Sequence, residues 1–205
     1  MKLEEMAVNL PDPTPALNYL GKRIQMAYVV RDMDAALEHW LDVMKVGPFV
    51  VFDRSRDGRT ILYRGTQTYA DISLAFAYIG DVQIEIIQPL DDEPSPFREF
   101  LDSGREGLHH IGFWPDDFEL ARGHFEEQGF KEIYAVLTDG RRSGAYYESP
   151  CVMGGIVELV PLTEQRAAYF GRMEKIARSW DGKTRPVRRF SGRAEFLASG
   201  EGVEV

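Results

Sequence analysis

Apolar positions along the chain alternate between two rhythms. Runs of β-branched and aromatic residues predict strands at RIQMAYVV (23–30), FVVFDR (49–54), TILYRG (60–65), ISLAFAYI (72–79) and VQIEIIQP (82–89). Asp57-Gly58 and Gly80-Asp81 supply turn signals between them. After the first strand, DMDAALEHWLDVM (32–44) places Ala35, Ala36, Trp40, Val43 and Met44 at helical intervals, which predicts a helix. The same order then returns. GLHHIGFW (107–114) reads as a strand and DDFELARGHFEEQG (116–129) as a helix, followed by strands at KEIYAVL (131–137), GAYYESP (144–150) and GGIVELVP (154–161). Laying Gln25 on His110 also lays Asp32 on Asp117, Ala36 on Ala121 and Trp40 on Phe125. Internal self-similarity of this kind decides the fold class, here α+β with two tandem β-α-β-β-β modules.

The segments around the modules differ in character. Residues 1–22 hold Pro11, Pro13 and Pro15 and read as an extended arm. The modules occupy 23–90 and 107–162. Between them, 91–106 is an acidic, proline-containing linker (DDEPSP, 91–96) with a short helix at 97–103. Beyond lies a C-terminal extension (163–205), with a helix over TEQRAAYFGRMEKIARSW (163–180) and a basic arm around GKTRPVRRFSGR (182–193).

Composition narrows the function classes. The 205 residues include 33 acidic and 24 basic side chains, a net charge of −9 that argues against binding to a phosphate backbone. At 44% hydrophobic the chain can bury a core. Its single cysteine, Cys151, can make no internal disulfide. MKLEEMAVNL does not read as a signal peptide, and no stretch approaches the roughly 18 apolar residues of a membrane span. A cytoplasmic protein with no nucleic-acid or membrane partner is expected.

Four polar residues stand on strand faces that ought to be apolar. Gln25 shares a face with Ala27 and Val29, Glu85 with Gln83 and Ile87, His110 with Leu108 and Gly112, and Glu158 with Ile156 and Val160. Singly, a Gln or Glu in a strand most often faces solvent, and of His109 and His110 only one can line a given cavity. Together they occupy the first and last strands of both modules, where they are placed to converge on one metal. A carboxylate buried without a partner costs several kcal/mol on typical estimates, so such a site asks for a cation.

These residues carry a family resemblance. QMAYVVRDMDAALEHW, VQIEII, GLHHIGF and GIVELVP resemble the vicinal oxygen chelate superfamily, which includes glyoxalase I, methylmalonyl-CoA epimerase, extradiol dioxygenases and bleomycin-resistance proteins. The resemblance spans about Arg23 to Leu162. It implies paired modules forming a curved mixed sheet around one divalent metal held by Gln25, Glu85, His110 and Glu158. It also implies a homodimer. Gln25 stands where an extradiol dioxygenase would have its first His ligand, which disfavours that chemistry. Three oxygens and one nitrogen suit Zn, Ni, Co, Mn or Mg acting as a Lewis acid. The expected activity is a glyoxalase-like lyase or isomerase that abstracts a proton α to a metal-bound carbonyl. Glu158 is the first choice of base and Glu85 the second. An acyl-CoA epimerase and a non-catalytic, resistance-type binding protein are the alternatives. Val29 and Pro89 stand where glutathione-gripping side chains would be sought, which argues against glutathione. Arg105, Arg141 and Arg142 are the candidates for holding an anionic small-molecule substrate.

Overall fold

The structure is a computed structural model and describes residues 19–150 and 154–203; the proline-containing part of the arm and Cys151 lie outside the described residues. In chain order the elements are β1 (Ile24–Val29), α1 (Met33–Glu38) continued by a π-helical turn (His39–Val43), β2 (Phe49–Phe52), β3 (Thr60–Tyr63), β4 (Thr66–Thr68), β5 (Ile72–Ile79) and β6 (Val82–Pro89). These are followed by α2 (Pro96–Asp102), β7 (Gly107–Phe113), α3 (Phe118–Glu127), β8 (Lys131–Thr138), β9 (Arg141–Glu148), β10 (Ile156–Leu159), α4 (Glu164–Arg178), β11 (Val187–Phe190) and α5 (Arg193–Ala198).

The strands form one mixed sheet in the order β11-β2-β5-β6-β1-β7-β10-β9-β8-β3-β4. Its centre repeats itself. β2-β5-β6-β1 on one side matches β8-β9-β10-β7 on the other, β1 runs parallel to β6 and β7 parallel to β10, and β1 and β7 meet antiparallel between the halves. The helices that begin after β1 and β7 start alike. Asp32 accepts hydrogen bonds from the Asp34 and Ala35 amides at 3.0 and 3.1 Å, and Asp117 accepts from the Leu120 amide at 2.9 Å. Each satisfies amides that the first helical turn would otherwise leave unpaired.

Each half gains an outer strand from elsewhere in the chain. TILYRG reads in sequence as a strand of the first module, but β3 pairs antiparallel with β8, across the molecule in the second half. Arg64 and Gly65, both at positive φ (47° and 79°), close the two-residue hairpin to β4 that covers this edge. At the other end β11 pairs parallel with β2. The basic segment therefore does not hang free. Both additions hydrogen-bond strands that would otherwise present open edges.

Side-chain alternation sorts the core into two faces. On one, α1 packs against Phe49, Val51, Ala75, Ala77, Ile84 and Ile86 of the first half, and α3 against Ala145, Tyr147, Val157 and Leu159 of the second. The other face carries Ala27, Val29, Phe52, Leu74, Phe76 and Ile87, and α2, α4 and α5 bury Phe97, Phe170, Met173, Ile176 and Phe196 against it. Arg172 of α4 ties down α5 by donating to the Phe196, Leu197 and Glu201 carbonyls at 3.0, 3.1 and 2.7 Å, so its charge satisfies acceptors at a helix end.

Candidate metal centre

The sheet register brings the four polar intruders together. Across the central strands run two adjacent rows, Glu85–Ala27–His110 and Gln25–Gly112–Glu158. Each row sets a small residue on the ladder between or beside the polar ones. All four polar side chains come from one chain and are buried, with Glu158 the most accessible at 8%. His110 Nε2 lies 3.5 Å from Glu158 Oε2 and 3.7 Å from Glu85 Oε2. One donor atom from each of Glu85, His110 and Glu158 falls within 4.8 Å of the others. Gln25 joins them at Gly112, where a Cβ would lie 2.7 Å from Gln25 Oε1 and 3.2 Å from Glu158 Oε2. Gly112 is therefore required for space, since a methyl group there would push the Gln25 carbonyl aside.

Strand alternation predicts that only one of His109 and His110 lines the cavity, but a bulge brings both imidazoles to it. Ala27 pairs with His110 but Tyr28 with Leu108, so His109 is an extra residue in β7. Such a bulge re-aims side chains, and here both imidazoles reach the same neighbourhood. His109 Nε2 lies 3.3 Å from the Pro96 carbonyl, and its Nδ1 lies 2.9 Å from His110 Nδ1. Burial and the adjacent His110 push the His109 pKa down to about 3, so its ring is neutral at ordinary pH. A carbonyl can only accept, so His109 Nε2 carries the hydrogen and its Nδ1 must accept from His110. His110 therefore uses Nδ1 toward His109 and turns Nε2, the atom a cation would take, to the two carboxylates. Outer-shell bonds of this kind fix the tautomer of a metal-binding histidine.

The donor set fits a divalent cation. Gln25 Oε1, Glu85 Oε2 and His110 Nε2 are buried and have no hydrogen-bond partner. Leaving such groups unsatisfied costs about 1–3 kcal/mol each. Donors bound about 2.1 Å from one ion stand roughly 3–4 Å apart, the spacing of the His110–carboxylate contacts. Burial first, and Glu158 second, hold the Glu85 carboxyl well above the ordinary carboxylate range, and a cation would reverse that push. Tyr146 lies directly across from Glu158, with its ring 4.9 Å from His110. Burial and the nearby carboxylates raise its pKa well above the usual value, so it remains a donor next to Glu158.

Two further groups shape the site and were not visible as such in the sequence. Phe97, fully buried on α2, packs its ring 5.4 Å from His109 and 5.8 Å from Tyr146. The segment expected as a linker thus forms a wall of the site and supplies the Pro96 carbonyl. None of the arginines proposed for an anionic substrate has a contact with the four donors, although Arg105 lies near His109, whose ring is 5.0 Å from Phe100. Arg105 stacks on Phe100 at 4.6 Å and bonds Ser103, Arg142 forms a two-point pair with Glu132 at 2.8 and 2.9 Å, and Arg141 is exposed at the β8–β9 turn. Arg142 is held away because Glu132 of β8 already satisfies its guanidinium.

Comparison with known proteins places the fold and site in context. Residues 24–147 match the Glyoxalase/Bleomycin resistance protein/Dioxygenase superfamily. The chain belongs to this superfamily. A 56-residue stretch is 38% identical to the uncharacterized protein YqjC of Bacillus subtilis (strain 168), covering 27% of this chain and 39% of that one. The hypothetical protein BH1468 from Bacillus halodurans C-125 superposes with a TM-score of 0.52 at 21% identity, over 70% of this chain and 96% of its own. Methylmalonyl-CoA epimerase from Mycobacterium tuberculosis superposes with a TM-score of 0.50 at 20% identity, over 74% and 95%. The Streptomyces coelicolor methylmalonyl-CoA epimerase in complex with 2-nitronate-propionyl-CoA gives 0.51 at 21% identity, over 70% and 96%. At these identities the likeness is one of fold. Among the described residues, no helix is long and apolar enough to cross a membrane.

Proposed function

We propose that the protein is a divalent-metal-dependent lyase or isomerase that moves a proton at the carbon next to a substrate carbonyl. The observation that carries this reading is the convergence of buried, unpartnered donors: Gln25 Oε1, Glu85 Oε2 and His110 Nε2, with Glu158 3.5 Å from the imidazole. These four residues would hold the ion. When bound, it supplies Lewis-acid polarisation of a carbonyl without redox change.

The remaining work belongs to the chain itself. Glu158 is the base that takes the α-proton, with Tyr146 across the ladder to orient its carboxylate. Glu85, with Oε2 3.7 Å from His110 Nε2, is the second carboxylate of the site and the alternative base. Phe97 and the helices of the covering layer exclude bulk water from the carboxylates, which strengthens every charge interaction there. Two carboxylates flanking one imidazole also suit epimerisation, in which one removes and the other returns the proton on the opposite side of a planar carbon.

Metal analysis tests the reading. About one Zn, Ni, Co or Mn per chain, with thermal stabilisation on adding it, is the expected result. Purified protein that neither carries nor is stabilised by any of these ions would overturn it. Glu158→Gln should keep the fold while abolishing solvent-deuterium exchange into α-hydroxy carbonyl, hemithioacetal or acyl-CoA substrates. Exchange retained in that variant would move the base role to Glu85. A metal-loaded protein that catalyses no exchange on any of these classes would favour a binding protein instead.

A further inference from the structure

Three arginines outside the donor set gather on the Glu158 side of the site. Arg166, in the first turn of α4, donates to the Pro161 carbonyl at 2.9 Å and the Ser143 carbonyl at 2.7 Å. The next residue, Gly144, lies where a Cβ would sit 3.7 Å from Glu158 Oε1, so this guanidinium is anchored beside the site. Tyr169, one turn on along the same face of α4, has the Arg193 guanidinium over its ring at 5.1 Å. The loop before β3 closes the group. A Cβ at Gly192 would meet Asp57 Oδ1 at 3.3 Å, the Arg54 amide bonds the Ser191 carbonyl at 3.3 Å, and Arg59 at the loop's end donates its Nε to the Arg56 carbonyl at 3.1 Å.

The charge balance of this group is unusual. Arg59, Arg166 and Arg193 are half-buried, and none forms an ion pair among the described residues. The Tyr169 hydroxyl is buried beside Arg193. Burial, with Arg193 and Arg59 adding to it against the opposing pull of Glu158, pushes Arg166 down to about 10. Burial and then Arg193 lower Arg59 as well. Asp57 opposes the lowering at Arg59 and Glu158 that at Arg166, yet among the described residues no carboxylate lies within ion-pair distance of these three guanidiniums, and an added anion would offset the repulsion that remains. Planar guanidiniums are the side chains best suited to a carboxylate or phosphate.

We infer that Arg59, Arg166 and Arg193, with the Tyr169 hydroxyl, form an oxyanion-binding pocket beside the Glu158 carboxylate, and that the substrate carries a carboxylate or phosphate group in addition to its carbonyl. This inference rests on the reading of the donor set as the reaction centre. It assigns the C-terminal extension, which supplies two of the three arginines, the task of selecting the substrate.

The test uses metal-free full-length protein titrated calorimetrically with inorganic phosphate and, separately, with succinate. Binding of at least one is expected, and the tighter of the two identifies the group the pocket takes. Arg59→Gln and Arg193→Gln should each weaken it roughly 10-fold or more, the loss of one charge-assisted contact. Arg178→Gln, an exposed residue paired with Asp81, should bind as wild type does. Arg166 is left intact because it also ties α4 to two strands. The inference is overturned if neither anion binds, or if folded Arg59→Gln and Arg193→Gln bind like wild type. Metal loading of the same variants separates the two readings. Metal retained with anion binding lost supports the pocket, whereas failure of the wild type to load metal overturns the proposed reaction without affecting the anion titration.

Discussion

The two halves of the sheet share a strand order but hold their donor residues differently. In the second half His110 is locked through His109 to the Pro96 carbonyl, and Glu158 faces Tyr146. In the first half Gln25 Oε1 and Glu85 Oε2 end without partners, and burial opposes the charge on Glu85. The second half would thus be oriented before a cation bound, with His110 Nε2 left to satisfy, whereas in the first half both donors would gain their partner from the ion. A pseudo-symmetric scaffold can in this way set one oriented nitrogen beside one carboxylate whose charge is opposed by burial.

Breaking the rigid half should have the largest effect. His110→Ala removes the only nitrogen donor of the set and should abolish stoichiometric metal binding, measured by equilibrium dialysis with Zn or Ni. His109→Ala leaves all four donors present but frees the His110 tautomer, and metal affinity should fall about 10–100-fold. Unchanged affinity in that variant would mean that the Nδ1 contact does not orient the ligand, and the contrast between halves would lose its basis.

The small residues between the donors sharpen the comparison further. Gly112→Ala should weaken metal binding by displacing Gln25 Oε1, since the new Cβ would lie only 2.7 Å from it. Ala27, at the corresponding place in the first half, faces the donors without such a demand. Ala27→Gly should leave metal affinity near wild type and cost only the roughly 0.5–1 kcal/mol of a glycine in a strand, read as a small fall in Tm. The smallest effect is expected at the edge that joins the halves. Arg64, exposed in the β3–β4 hairpin, pairs with Glu99 and Glu148 at 3.1 Å, and Arg64→Ala should change stability by at most about 1 kcal/mol in urea titration.

Much of the fold was legible because its signals are local. Strand runs, helical spacing and the paired caps Asp32 and Asp117 are written within each segment, and the predicted elements are observed with shifts of a few residues at their ends, whereas β4, β11 and α5 had no predicted counterpart. Gln25, Glu85, His110 and Glu158 were legible for a related reason. A charged or amide side chain on an apolar strand face is a local contradiction that only a distant partner resolves.

What was not legible depended on contacts between segments far apart in sequence. TILY has the pattern of any half-buried strand, and nothing within it specifies that its partner is β8. The bulge at His109 arises from a mismatch between β1 and β7 and leaves no mark in either strand alone. The basic tail carries the composition of a solvated arm, yet Val187–Phe190 lies on β2, where an open edge supplies the hydrogen bonds.

The sequence by itself determined the repeated order of elements and marked the four polar positions that converge in the fold, because periodicity and polarity act over a few neighbouring positions. Only the tertiary structure decided which strands meet, which histidine nitrogen faces the carboxylates and which arginines come to the site. Those depend on register and on the packing of α2, α4 and α5, set by hydrogen bonds and burial summed over the whole chain.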